Sequence, residues 1–369
     1  MATSLLCRSG FTQLRSRKLL QVQGVDAARF LQGILTNDMK ALNAPQKAMY
    51  GGFLTTKGRL LGDCNVISVK DDVFYLDYDA SVEEDLLKHW KRYKLRLKVK
   101  LEDRSADFKT YSTLPALIDN DSHAMISDAA DATELAALNG AIEPEEGAIF
   151  ADPRGDVFGS RVIISSSRQL KVPEHYEELD GAAYSDRRVF LGAAEGKELS
   201  DGIPLESNLE LLHGVSFRKG CYVGQELTAR TQFKGNIRKR FVPVALVPSE
   251  HQDVVKALAN VSFNRLDAGS HEALRDFFAS AAPNNLSTVA EGTKIMKEGS
   301  SKAVGTILGV GKDVSSALAM MRLEHLYPKE DGEEAPVVSF STADGNYLAV
   351  PYQPSWWPSL DPKTGKMTL

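Results

Sequence analysis

Cysteine is scarce in this chain: its 369 residues hold three, Cys7, Cys64 and Cys221, with no C-x-x-C pair among them. Thiols so few and so dispersed exclude a disulfide framework and point to a reducing compartment. They also exclude a private four-thiolate metal site, because a single copy cannot supply the ligands. Histidine is as thinly spread. The seven, among them His89, His213 and His325, form no H-E-x-x-H pattern, and neither a Ser/His/Asp triad motif nor a phosphate-binding P-loop occurs. No apolar run reaches the roughly 18 residues that a membrane helix needs, so no transmembrane segment is expected. A net charge of -5 gives no general attraction for nucleic acid.

Two local absences are informative as well. The first 25 residues lack Asp and Glu yet carry Arg8, Arg15, Arg17 and Lys18 among hydroxyl residues. That is the composition of a mitochondrial presequence, although folded structure is expected from near Leu19 and leaves it little room. Residues 110–153 lack Lys and Arg. This acidic, alanine-rich stretch is expected to close a second domain through helices and loops.

What is present is ordinary for a globular chain, with 43% hydrophobic and 25% charged residues and a length that suggests two or three domains. Asp26 stands where it can cap a helix whose apolar residues Phe30, Leu31, Ile34 and Leu35 share one face. Segments 62–69 and 73–78 read as a hairpin, and Ser81-Val82-Glu83-Glu84 as a capping box that opens a helix to about Lys94. Leu95, Leu97, Val99 and Leu101 alternate with Arg96, Lys98 and Lys100, which predicts a strand apolar on one side and basic on the other. Together with Lys88, Lys91, Arg92 and Lys94, its basic side suits an acidic protein or a polyanionic ligand, or is simply a solvated face. Asp152-Pro153-Arg154-Gly155 marks a turn before a strand over 157–164. Beyond Arg240, short β segments at 241–247, 304–310, 317–323 and 337–348 predict a small terminal barrel. An insertion at about 250–289 carries a helix over 270–281, and Trp356 and Trp357 are expected to pack.

The richest stretch is Lys219-Gly220-Cys221-Tyr222-Val223-Gly224-Gln225-Glu226. Arg218 and Lys219 beside Cys221 favour the thiolate, the form that attacks electrophiles and ligates soft metals. Gly220 and Gly224 let a bulky partner approach the sulfur, or let the backbone turn with positive φ. A buried structural cysteine between two turn glycines is the other reading of the same residues. His213, shortly upstream, can polarise the thiol or simply end a helix.

That string resembles the signature of the T-protein-like iron-sulfur assembly factors, relatives of the folate-dependent aminomethyltransferase of the glycine cleavage system. Segments 22–33, 35–38, 202–209 and 214–217, and Gly235 with Arg238, Lys239 and Arg240, carry the resemblance further. It implies an α+β, three-domain fold arranged around a central opening: a discontinuous folate-binding-like first domain (1–50 and 151–238), a second domain (51–150) and a C-terminal β-barrel (239–369). It implies a protein of the mitochondrial matrix, monomeric on its own and not a classical enzyme. Such a protein acts with an A-type iron-sulfur carrier to form or deliver [4Fe-4S] clusters to client enzymes. Cys221 would ligate a [2Fe-2S] or [4Fe-4S] cluster shared transiently with that carrier. Arg218, Lys219 and Arg230 would offset the cluster's charge, Gly220 and Gly224 would admit it, and Tyr222, Gln225 and Glu226 would support the loop.

The resemblance also raises an alternative, a tetrahydrofolate-dependent aminomethyl transferase. Its ligand would be held by Asn37, Asp38, Tyr50, Asp63 and Glu206, each of which has a structural role open to it as well. In the stretch Lys57 to Cys64, the acidic pair of the enzyme stands as Gly62-Asp63, one acid short. Tetrahydrofolate binding of a vestigial or regulatory kind is therefore expected ahead of catalysis, and no catalytic residue is assigned.

Overall fold

A computed structural model describes residues 4–42, 47–126, 132–140, 142–143, 146–280, 286, 289–327 and 336–368, without the side chains of 270 and 280. The described helices are α1 (Ala27–Ile34), α2 (Glu83–Lys94), α3 (Ala132–Asn139), α4 (Ala182–Phe190), α5 (Gln225–Lys234), α6 (Gln252–Leu258) and α7 (Glu272–Ser280). None is long and apolar enough to cross a membrane.

One five-stranded antiparallel sheet runs in the order Ala48–Leu54, Leu60–Lys70, Val73–Asp79, Arg17–Gln23, Lys100–Asp103. A second is ordered Glu177–Glu178, Gly10–Gln13, Phe108–Leu114, Ser160–Ser165, Gly147–Ala151, with only the first pair parallel. The sheets pack face to face through Leu19, Ile67, Tyr75, Phe108, Phe150 and Ile163. α1 and α2 cover the outer face of the first sheet through Phe30, Leu31, Ile34, Leu86 and Trp90. Leu135 of α3 packs with Val162 and Ile164 on the outer face of the second. The first sheet is thus covered on both sides, which is why Leu60–Lys70 is buried almost throughout and does not alternate with solvent-facing residues. Trp90 anchors the helical layer, edge-on to Phe53 at 5.4 Å and to Tyr78 at 5.2 Å.

The C-terminal segment closes a six-stranded barrel in the order Lys239–Pro248, Ser316–Arg322, Ala303–Val310, Lys294–Met296, Phe340–Thr342, Tyr347–Pro351. The fold is therefore α+β with a terminal β-barrel. The insertion carries α6 and α7; α7 occupies most of the helix expected over 270–281, of which Ala281 lies outside the described residues. Trp357 is buried and Trp356 donates its Nε1–H to the Leu191 carbonyl at 2.9 Å, tying the tail to the end of α4.

Strand Ala48–Leu54 crosses residue 50, and Arg17–Gln23 pairs with Val73–Asp79 in the same sheet. Several local expectations need correction. The acidic stretch contributes strands Phe108–Leu114 and Gly147–Ala151 besides α3, while its residues 127–131, 141 and 144–145 lie outside the described residues. No capping box opens α2: a short 3-10 turn, Ala80–Val82, precedes it, capped by Asp79, and the Ser81 hydroxyl accepts a bond from the Lys197 N–H at 3.2 Å. Asp26 sits at the N-cap of α1, yet its carboxylate accepts the Lys98 N–H at 2.8 Å instead of capping. The strand expected over 95–101 is reduced to Lys100–Asp103, because Leu95 takes φ 48° and breaks the run as α2 ends.

Candidate functional site

Cys221 lies on the loop that leads into α5, and of the three cysteines it alone is exposed. Cys64 is fully buried under α1 and α2, where burial pushes its thiol pKa well up, and Cys7 is half-buried. Three features hold the loop. First, the Lys219 ammonium donates to the carbonyls of Gln32, Leu35 and Asn37 at 2.8, 2.7 and 2.8 Å. These lie in and just beyond the last turn of α1, where carbonyls lack helical partners and the helix dipole favours a cation. Burial draws the Lys219 pKa down to about 8, with Asp38 opposing, so at neutral pH it still carries the three protons that these bonds need. Second, the Val223 N–H bonds to the Gly33 carbonyl at 3.0 Å, and Thr36 bridges strand Ala48–Leu54 and the same loop. The Thr36 hydroxyl accepts the Gly52 N–H at 2.8 Å and donates to the Gly214 carbonyl at 2.6 Å. Third, Gly224 has φ 78° and caps α5 against the hairpin turn at Thr55, where a Cβ would stand 2.3 Å from the Thr55 carbonyl oxygen.

The motif residues therefore separate into two groups. Lys219 and Gly224 face inward: the lysine's donors are engaged on α1 and the glycine permits close packing on Thr55. Gln225 joins this group, its Oε1 accepting the Tyr222 N–H at 3.1 Å, while the Tyr222 ring lies under the Lys219 ammonium at 4.9 Å. Arg218, Gly220, Cys221, Glu226 and Arg230 are exposed, and a Cβ on Gly220 would meet nothing within 4 Å. His213 is exposed and has φ 59°; its carbonyl accepts the Asn37 side-chain amide at 2.7 Å. Among the described residues, no three or more His, Cys, Asp or Glu side chains are grouped to hold a metal ion.

Four of the five residues singled out for folate make side-chain hydrogen bonds inside the chain. Asn37 donates to the carbonyls of Tyr50 and His213, at 2.8 and 2.7 Å. Asp38 caps the 3-10 turn Met39–Ala41 through the Lys40 N–H. Tyr50 is buried and donates its hydroxyl to Asp63 Oδ2 at 3.0 Å, while Asp63 Oδ1 accepts the Gly196 N–H at 2.8 Å. Glu206 is half-buried in a run of turns, with no helix following it, and burial raises its pKa against the pull of Lys239 and Arg59. Asp63, only 1% exposed with both oxygens bonded, is not placed to meet a substrate proton. The side-chain polar atoms of Asn37, Tyr50 and Asp63, and Asp38 Oδ1, are thus paired within the chain.

Sequence reasoning missed what surrounds Asp63. Arg17 Nε bonds to Asp77 Oδ1 at 2.8 Å and its Nη1 reaches Glu195 Oε2 at 3.3 Å. Arg154 grips Asp152 with Nε at 2.8 Å and Nη2 at 2.7 Å, and Glu195 with Nη1. Arg161 reaches Asp152 and the Tyr184 hydroxyl, and that hydroxyl donates to Glu195. All are buried. Burial acts to raise the Glu195 pKa, but Arg154 and Arg17 outweigh it and hold the carboxyl far below the usual range. Burial and the Glu195 charge together push Asp63 up to about 6. Charged side chains thus fill the junction of the two sheets.

Known proteins show the same organisation. Residues 8–113 match the GCVT N-terminal domain and residues 238–359 match the CAF17 C-terminal beta-barrel domain. The chain is 32% identical over 370 residues to a protein of Mycosarcoma maydis named iron-sulfur cluster assembly factor IBA57 homolog, mitochondrial, covering 94% of this chain and 84% of that one. Proteins of the same name from Neurospora crassa and Dictyostelium discoideum are 37% and 36% identical, and the aligned parts span 56% and 62% of their lengths. In fold, the chain resembles the crystal structure of the glycine cleavage system aminomethyltransferase T from Bartonella henselae. The TM-score is 0.63 at 14% identity, covering 99% of this chain and 90% of that one.

Proposed function

The chain belongs to the IBA57 family of iron-sulfur cluster assembly factors, and from that premise we propose that it assists iron-sulfur cluster assembly in the mitochondrial matrix. Its cargo is a [2Fe-2S] or [4Fe-4S] cluster held transiently between Cys221 and an A-type carrier, on the way to [4Fe-4S] client enzymes. The observation that carries this reading is the state of Cys221: the one exposed cysteine, on a loop pinned by Lys219 and Gly224. A pinned loop presents its sulfur without the entropy cost of ordering a mobile one at each encounter. Iron in such clusters takes several thiolates, and this chain offers one at its surface, so the remainder must come from a partner. Gly220 leaves the approach open, and exposed Arg218 and Arg230 can balance the negative charge of a thiolate-bound cluster.

The test is anaerobic mixing with a cluster-loaded A-type carrier, following visible absorption and complex mass for the wild type and Cys221→Ser. A coloured heterodimer formed by the wild type alone is expected. A complex equally coloured and equally stable with both would make the cysteine incidental. Aminomethyl transfer requires a base within reach of the substrate, and the burial of Asp63 gives no step of that kind. Calorimetry with reduced folate tests whether a vestigial site persists: binding would keep the folate reading, and no binding would retire it.

A further inference from the structure

A groove of about 700 Å³ opens between α1 and the segment that follows α2, floored by Phe30 and Ile34 and walled by Leu95, Leu97 and Val223. Val223 is two positions from Cys221 and is bonded to α1 through the Gly33 carbonyl, so the groove runs into the cysteine loop. Leu95 is the most exposed large apolar residue described, at 80%, followed at 70% by Val25, which immediately precedes the lining residue Asp26. Leu95 also has φ 48° and ψ -121°, a backbone state that suits glycine and is strained for leucine. Neither burial nor backbone preference explains a leucine here, and strain combined with exposure is the mark of a residue kept for contact.

The charges point the same way. Arg29 and Arg96 line the groove, Lys98 stands beside it, and none of the three pairs with a described carboxylate. Lys91 and Arg92 are exposed in the last turn of α2. Asp26, the one acid of the lining, already accepts the Lys98 N–H. This face is positive on a chain whose net charge is -5, and so it selects an acidic surface.

We propose that this groove docks the protein that completes the ligand set at Cys221, and that the partner inserts an apolar side chain flanked by carboxylates. The proposal rests on the cluster-sharing reading above. Docking beside the cysteine would hold the partner's thiolates over Cys221, with Leu95 and Val25 as apolar anchors and the arginines setting orientation.

Calorimetry with the cluster-loaded A-type carrier tests it, on wild type, Leu95→Gly, the Arg29→Glu/Arg96→Glu pair and Cys221→Ser. Glycine accepts the positive φ, so Leu95→Gly should unfold at or above the wild-type temperature while binding the carrier about tenfold more weakly or worse. The charge-reversed pair should weaken binding by a similar factor, with the deficit against wild type shrinking as salt is raised. Cys221→Ser should lose the cluster's colour and keep much of the docking affinity. Wild-type affinity in both groove variants would overturn the groove and leave the role of Cys221 standing. A carrier that fails to bind even the wild type would bring down both. Self-association of the wild type that is lost in Leu95→Gly would assign the groove to a second copy of the chain and overturn the proposal as well.

Discussion

Three carbonyls at the end of α1 converge on one ammonium, so Lys219→Met should cost far more than loss of a surface lysine. About 2 kcal/mol of stability is expected to go, from lost charge-assisted bonds and an uncompensated helix end. Lys219→Arg should not restore it, since a planar guanidinium cannot direct donors at three converging acceptors as an ammonium does. Denaturant titration of the three proteins checks both statements; a fully stable arginine variant would contradict the geometry. The neighbouring glycines should behave oppositely to each other. Gly224→Ala places a Cβ 2.3 Å from the Thr55 oxygen at φ 78° and should destabilise by about 2 kcal/mol or more, while Gly220→Ala meets open space and should be near neutral. The sequence showed that this stretch was special without showing which way each residue faced. A lysine beside a cysteine reads as an activator of the thiol, and only the position of α1, remote in sequence, turns it into a helix cap.

At the scale of elements, what was legible had a local cause. The hairpin of Leu60–Lys70 and Val73–Asp79 follows from its Asp71-Asp72 turn, where Asp72 takes φ 59°. The longer barrel strands follow from β-rich runs between turns, whereas Lys294–Met296, three residues long, carries no period to read. The strand expected from Leu95 failed because alternation is equally satisfied by a loop whose leucine faces solvent. The buried ionic centre was illegible for another reason: Arg17 finds Asp77 across 60 residues and Arg154 finds Glu195 across 41. Its removal should be severe, because deleting one partner strands the others in a dry site. Arg154→Met should cost about 3–5 kcal/mol, and adding Glu195→Gln should recover part of the loss by removing a buried carboxylate that has lost one of its two arginine partners. Urea titrations of the single and double variants measure this, and a double variant no better than the single would show that the two groups are not coupled.

For the molecule as a whole, the tail after the last barrel strand acts as a strap. The buried Arg240 guanidinium donates to the Gly365 carbonyl from Nε and Nη2 at 3.1 and 2.9 Å, and the Ile237 N–H bonds to the Thr364 carbonyl at 2.8 Å. Ending the chain at Pro351 would leave Arg240 short of acceptors and uncover the contacts of Trp357. Thermal unfolding of that truncation should show a lower and broader transition, while an unchanged profile would mean that the strap is dispensable. The pH dependence of global stability reports on the ionic centre. Glu195 and Asp152 have lowered pKa values, so their contributions are in place above pH about 4 and decline as the pH falls through the folded values. Asp63 runs the other way. Its pKa rises from 3.8 to about 6 on folding, so between those values the native state binds the proton more tightly than the unfolded chain does. Its contribution is complete below pH about 4 and is lost, by about 3 kcal/mol, as the pH rises through 6. Asp63→Asn removes that titration while Asp186, raised to about 6 on α4, stays in both proteins and cancels in the difference. The stability of the variant relative to wild type should therefore grow between pH 4 and 7, and parallel curves across that window would show that Asp63 is ionised in the fold with no penalty from burial.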